Sequence, residues 1–126
     1  IINKKLSTLE KYDFYPFKKQ NSILAMTAHI IYKCIDSKNT VTHSKKAIET
    51  IRDKIGFNKI IISDDISMKA LKYSIEENTT RAFIAGCNIM LHCNGNYTEM
   101  IKVAKNSPLI NKFILKKTSN LIDIIR

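Results

Sequence analysis

The chain has 126 residues and opens on Ile1, a length that accommodates one domain or part of a larger one. Its 44% hydrophobic content is enough for a globular core, and no apolar run approaches the length that crosses a bilayer. Ile-Ile-Asn-Lys-Lys at the start has no long apolar stretch behind it and is unlike a signal peptide. A soluble chain with no membrane partner is expected.

The formal charge of +10 and a pI near 9.6 raise nucleic acid as a partner. The distribution argues against it. Lysine doublets (Lys4–Lys5, Lys18–Lys19, Lys45–Lys46, Lys116–Lys117) are scattered along the chain. Arginine, the better reader of phosphate and guanine, occurs only at Arg52, Arg81 and Arg126. Three cysteines, Cys34, Cys87 and Cys93, are an odd number and too few for a disulfide framework. Cys87 and Cys93 bracket an apolar run and read as buried thiols in a reducing compartment. Their Cys-x5-Cys spacing, with no second Cys/His couple, is a poor zinc signature, so no metal is expected.

In chain order, Ser7-Thr-Leu-Glu10 has the form of a capping box opening a helix toward Lys19, with Pro16 limiting its regularity. Ile23–Ala28 is a continuous apolar run expected to be a strand buried on both faces. A polar loop spans 36–43. Ser44 is placed to cap a helix whose stripe is Ala47, Ile48, Ile51 and Ile55, with Gly56 as its left-handed stop. Lys59–Ser63 is the next strand, rich in β-branched residues. Ser74-Ile-Glu-Glu77 caps another helix, which turns Ala82, Phe83 and Ala85 inward before Gly86. Asn88–His92 reads as a third strand. Asn96–Glu99 opens a helix that stops near Ser107-Pro108, and an amphipathic helix fills Ile110–Ile125.

Strands alternating with helices imply right-handed βαβ units and a parallel α/β sheet. Three strands are few for a free-standing sheet, and the chain is about half the ~250 residues of an eight-stranded barrel. Residues 1–126 are therefore expected to be a single partial domain.

The chemistry concentrates where an α/β fold puts it. Asp64 and Asp65 follow a buried parallel strand, at the carboxyl end where ligands bind. Either could instead cap the following turn, although both cannot cap the same one. A magnesium site lacks its phosphate-binding glycine loop. His29 and His92 end the neighbouring strands, each open to a binding or a structural role, and His43 reads as surface. Ser63 lacks a Gly-x-Ser-x-Gly elbow, which leaves a serine hydrolase unsupported.

Three blocks carry a resemblance: Met26-Thr-Ala-His-Ile-Ile-Tyr32, Ile55-Gly-Phe57 and Ile61-Ile-Ser-Asp-Asp-Ile-Ser-Met-Lys-Ala70. Together with Arg81-Ala-Phe-Ile-Ala-Gly-Cys87 and Leu91-His-Cys-Asn-Gly95, they resemble the bacterial family 3 β-N-acetylglucosaminidases over nearly the whole chain. The resemblance implies the C-terminal part of a (β/α)8 TIM-type barrel. It implies a cytoplasmic enzyme that removes terminal N-acetylglucosamine from cell-wall fragments without a metal or organic cofactor. Asp64 would be the nucleophile of a retaining mechanism. Met26, His29, Asp65, Ser67 and Met68 would line the sugar pocket or support its loops.

The family's acid/base histidine, in an Asp-Ser-His segment, and its Lys-His-Phe-Pro-Gly-His-Gly sugar-binding motif have no counterpart here. Ile1-Ile2 resembles the stretch that follows that histidine, so the chain is expected to begin just after the acid/base. The implied partners are an N-acetylglucosamine-containing glycan and either the N-terminal half of the barrel or a second copy. A different class also fits, a non-catalytic remnant of a split gene that acts only through such pairing.

Dispersed lysines release counterions but offer no ordered reader of base edges. Binding to DNA or RNA is expected to be weak and blind to sequence. A gel shift that keeps sequence preference above ~200 mM salt would contradict this.

Overall fold

The computed structural model describes residues 1–125, with side chains through Ser119. Its centre is a parallel three-stranded sheet in the order β1 (Leu24–Met26), β2 (Ile60–Asp65), β3 (Ile89–Leu91). Leu24, Ala25 and Met26 stand beside Ile60, Ile61 and Ile62, and Ile62 stands beside Ile89. Two helices make the crossovers. One is α2 (Lys45–Thr50), following the short N-terminal helix α1 (Leu6–Thr8); the other is α3 (Ile75–Ala85). Two further helices, α4 (Tyr97–Lys105) and α5 (Lys112–Ile125), follow β3.

The crossover helices begin and end as their sequences specify. Ser44 Oγ accepts the Ala47 amide at 3.2 Å, and Ser74 Oγ accepts the Glu77 amide at 3.2 Å. α2 runs on as a wide π turn over Ile51–Ile55 and closes at Gly56, with φ 81°. Gly86 closes α3 with φ 114°, and a Cβ there would sit 3.0 Å from Ile48 Cγ2. Both the left-handed backbone and the approach to α2 require glycine.

The core lies between the helices and one face of the sheet: Ile48, Phe57, Ile61, Ala82, Ala85 and Cys87, with Ala25 and Met90 against them. A guanidinium ties its lower edge. Arg52 donates to the Phe57 and Lys59 carbonyls at 2.8 and 2.7 Å and to Asn88 Oδ1 at 3.1 Å. Asn88 Oδ1 also accepts the Ile61 amide, at 2.8 Å.

The structure corrects four expectations. Ser7 caps nothing: α1 starts at Leu6 behind an extended Lys5, and Glu10 turns away to pair with Lys54 at 3.3 Å. Fully buried Leu9 fixes the helix there, and its amide bonds to the Lys5 carbonyl. Secondly, β1 is not buried on both faces. Ala25 packs into the core, but Leu24 and Met26 on the opposite side are exposed. Thirdly, Cys93 is exposed, as is Cys34, and only Cys87 is buried, which pushes its thiol up to about 12. Finally, His43 is half-buried, its Nε2 donating to the Asn78 carbonyl at 3.2 Å.

The open side of β1 has a definite pattern. Thr27 donates its amide to the Ile62 carbonyl, and the Ile23 carbonyl accepts from Ile60. Odd residues therefore serve β2, while the main-chain groups of Leu24 and Met26 face outward. A cavity of about 410 Å³, lined by Phe14, Phe17, Leu24, Met26, Tyr32 and Phe57 among others, lies beside this edge. An unpaired strand next to apolar surface is a template for association. Sedimentation of the isolated chain is expected to give a mass above 14.5 kDa. A monodisperse monomer with a sharp unfolding transition would show that the edge is self-sufficient.

Candidate active site at the carboxyl end of the sheet

β2 continues two residues beyond the expected stop because its ladder does. Ser63 Oγ accepts the Leu91 amide at 2.9 Å, and Ile66 donates its amide to the Leu91 carbonyl at 2.9 Å. Asp64 and Asp65 are thus strand residues, beyond a bulge where the register against β3 shifts between Ile62 and Asp65. Before the bulge Ile61 packs with Ala25 into the core, while Ile60 and Ile62 stand beside Leu24 and Met26 on the other face.

Hydrogen bonding separates the two carboxylates. Asp65 Oδ1 accepts the Ser67 amide at 3.0 Å, the Ser67 hydroxyl at 2.7 Å and the Cys93 amide at 3.1 Å. It fastens the loop after β2 to the loop after β3. Burial alone would raise its pKa, but the bonds from Ser67 and Cys93 and the nearby His92 outweigh burial and hold it below the usual carboxylate range. Asp64 is half-exposed, and among the described residues its carboxylate accepts only the Asp65 amide, at 2.9 Å.

His29 and Met26 come from the end of β1. Both ring nitrogens of His29 are engaged: Nε2 with the Asp65 carbonyl at 2.8 Å, Nδ1 with Thr42 Oγ1 at 2.9 Å. The Met26 side chain is exposed. Met68, also exposed, sits in the turn closed by its amide on the Asp65 carbonyl at 3.1 Å. The structure therefore gathers Asp64, Asp65, His29, Ser67, Met26 and Met68 at one end of two adjacent strands.

His92 follows β3 and bonds Glu99 Oε2 through Nε2 at 3.0 Å. That bond, then one from Asn94, holds the Glu99 carboxyl below its usual range. Sequence reasoning missed Thr27 and Thr42, both buried and bonded to each other at 2.9 Å. The available signal was a hydroxyl residue, Thr27, inside an apolar strand. Among the described residues no group of His, Cys, Asp and Glu is arranged to hold a metal.

A carboxylate left free at the end of a central parallel strand, beside one committed to its loop, is the arrangement that the Ser-Asp-Asp block carries. The family model for the glycosyl hydrolase family 3 N terminal domain matches residues 1–123. The chain belongs to that family. It is 35% identical over 99 residues to the β-hexosaminidase of Nitrosomonas eutropha, a match covering 75% of this chain and 28% of the relative. It is 34% identical over 94 residues to the β-hexosaminidase of Neisseria meningitidis, covering 71% and 26%.

Among solved structures, native NagZ from Neisseria gonorrhoeae superposes with a TM-score of 0.77 at 26% identity, over 93% of this chain and 35% of that one. CbsA from Thermotoga neapolitana gives 0.73 at 26% identity, over 98% and 31%. The chain spans about a quarter to a third of the length of the relatives it matches. Its parallel strands and alternating helices are part of a TIM-type barrel of family 3.

The Asp65 clamp makes a pH prediction. A carboxylate whose folded pKa lies below its unfolded value stabilises the fold fully above that unfolded value, about 3.9 for Asp. That stability is lost as pH falls through the lower folded pKa. In an NMR titration the Ser67 and Cys93 amides should move together, with a midpoint below the ordinary Asp value. In Asp65→Asn they should not move in that window. A midpoint at the ordinary value would contradict the clamp.

Proposed function

We propose that the chain carries the nucleophilic part of a β-N-acetylhexosaminidase, with Asp64 as the catalytic nucleophile. The observation that carries this reading is the freedom of the Asp64 carboxylate. It is half-exposed at the carboxyl end of the central strand and, among the described residues, accepts one bond, from its own neighbour. Attack on the anomeric carbon by such a carboxylate gives a glycosyl-enzyme that water then hydrolyses, with net retention.

Met26 and Met68, exposed beside it, would offer apolar contact to the sugar and its N-acetyl group. Asp65, Ser67 and His29 would hold the loops and strand ends in place around it. The substrate is a glycan ending in β-N-acetylglucosamine, such as a cell-wall peptidoglycan fragment handled in the cytoplasm.

Departure of the leaving group also requires a proton donor. Among the described residues at this end of the sheet, Asp65 is bound by Ser67 and Cys93, both nitrogens of His29 are engaged, and His92 is paired with Glu99. The family resemblance supports an acid/base from residues outside these 126, in the N-terminal half of the barrel. The open edge of β1 supports the same reading, since a further strand docking there would complete the wall beside Asp64. A remnant with no catalytic role fits the open edge equally well, but gives no account of the free Asp64.

General acid catalysis contributes about 10²–10⁴ in rate, so the 126-residue chain alone should not turn over a nitrophenyl N-acetylglucosaminide. Fused to the complementary barrel strands of a family relative, it should release N-acetylglucosamine with retained configuration. Asp64→Asn should abolish that turnover. Activity of the fusion that survives Asp64→Asn would remove Asp64 from the mechanism.

A further inference from the structure

A chain of hydrogen bonds runs through the end of the sheet, and its donors and acceptors can be ordered by elimination. The Asp65 carbonyl can only accept, so His29 Nε2, 2.8 Å away, carries a proton. In the neutral ring Nδ1 is then bare and needs a donor. Thr42 Oγ1, at 2.9 Å, supplies it. The Thr42 hydroxyl has one proton, so its bond to Thr27 Oγ1 at 2.9 Å must take its proton from Thr27. The Asp64 amide, 3.4 Å from Thr27 Oγ1, then finds a lone pair there. Among the described residues the other acceptor for the Thr42 proton is the Ala28 carbonyl, at a longer 3.4 Å.

Each link joins a different piece of backbone. Thr27 and His29 lie just past β1, Thr42 lies in the 3-10 turn Val41–His43 before α2, and Asp64 and Asp65 end β2. Thr27 is 4% exposed and Thr42 0%. A buried hydroxyl network of this kind is stable only when every member is satisfied, and one direction of donation satisfies it. The sheet ladder fixes β2 as far as Ile62, where the Thr27 amide bonds. Beyond that point, on the β1 side, side chains hold the strand that presents Asp64.

We propose that Thr42 is a positioning residue for Asp64, locking His29 as its Nε2–H tautomer and, through Thr27 and His29, holding the main chain of Asp64–Asp65 in place. The catalytic meaning of this lock rests on the reading of Asp64 as nucleophile; the lock itself does not.

The test is ¹⁵N NMR of the 126-residue chain at about pH 8, above the ordinary imidazole pKa. His29 should show one tautomer, protonated at Nε2 and bare at Nδ1. Thr42→Val, close in shape but without the hydroxyl, should populate the Nδ1–H tautomer. It should also speed hydrogen exchange of the Asp64 amide about five- to tenfold, the equivalent of one ordinary hydrogen bond. Thr42→Ser should restore both the single tautomer and the slow exchange, which a loss of packing alone would not reproduce.

A wild-type ring with mixed tautomers or both nitrogens protonated would overturn the proposal. So would a Thr42→Val spectrum identical to wild type. If Thr42→Val does not fold, the wild-type and Thr42→Ser spectra still decide. Asp64→Asn should leave the His29 spectrum unchanged while abolishing turnover of the fused barrel. A failure of the lock and a failure of the nucleophile assignment are thereby read in different experiments.

Discussion

The end of β2, where the register against β3 shifts at a bulge, gives two adjacent aspartates different hydrogen-bond surroundings. Had β2 ended at Ser63, Asp64 and Asp65 would both belong to a turn and compete for the same amides. Because the ladder to β3 runs on through Ser63 Oγ and the Leu91 carbonyl, Asp65 stands beside Leu91. There it meets Ser67 and the Cys93 amide. Asp64 stays half-exposed, bonded among the described residues only to the amide of its neighbour. The loops after β2 and β3 are joined by the first carboxylate, and the second is kept free of them.

The other side of the site depends on hydroxyls in the same way. β1 is short, and its main chain bonds β2 only as far as Thr27. The registry of the strand ends beyond it rests on His29, Thr27 and Thr42, which take over where the main-chain ladder stops. The two devices are complementary. A carboxylate gathers amides on the β3 side, and a file of hydroxyls and one imidazole bridges the β1 side. Asp64 stands between them.

Much of this was legible in the residues. Ser44, Gly56, Ser74, Gly86 and Asn96 mark helix ends by local chemistry, and each does so in the structure. The alternation of strands and helices followed from the same marks. The Ser-Asp-Asp block was legible as a site because strand ends are where α/β folds bind. What stayed hidden depends on contacts between distant segments. Ser7 and Glu10 have the spacing of a cap, but burial of Leu9 and the pull of Lys54 on Glu10 set a different start. The separate fates of Asp64 and Asp65 depend on where β2 stops, which Leu91 decides from 26 or more positions away in the chain. Thr42 lies in a polar loop, and nothing local shows that its hydroxyl reaches His29.

The guanidinium of Arg52 sits at the opposite end of the strands from Asp64, gathering two carbonyls and the Asn88 amide oxygen into one knot. Its three acceptors belong to the segment entering β2 and the one entering β3, so the spacing of those strands is set before either reaches the site. A foundation fixed at one end leaves the other free to drift over generations. The loops that carry Met68 and Asn94 leave the strands at the far end from this knot, so they can be altered while the strands beneath keep their places.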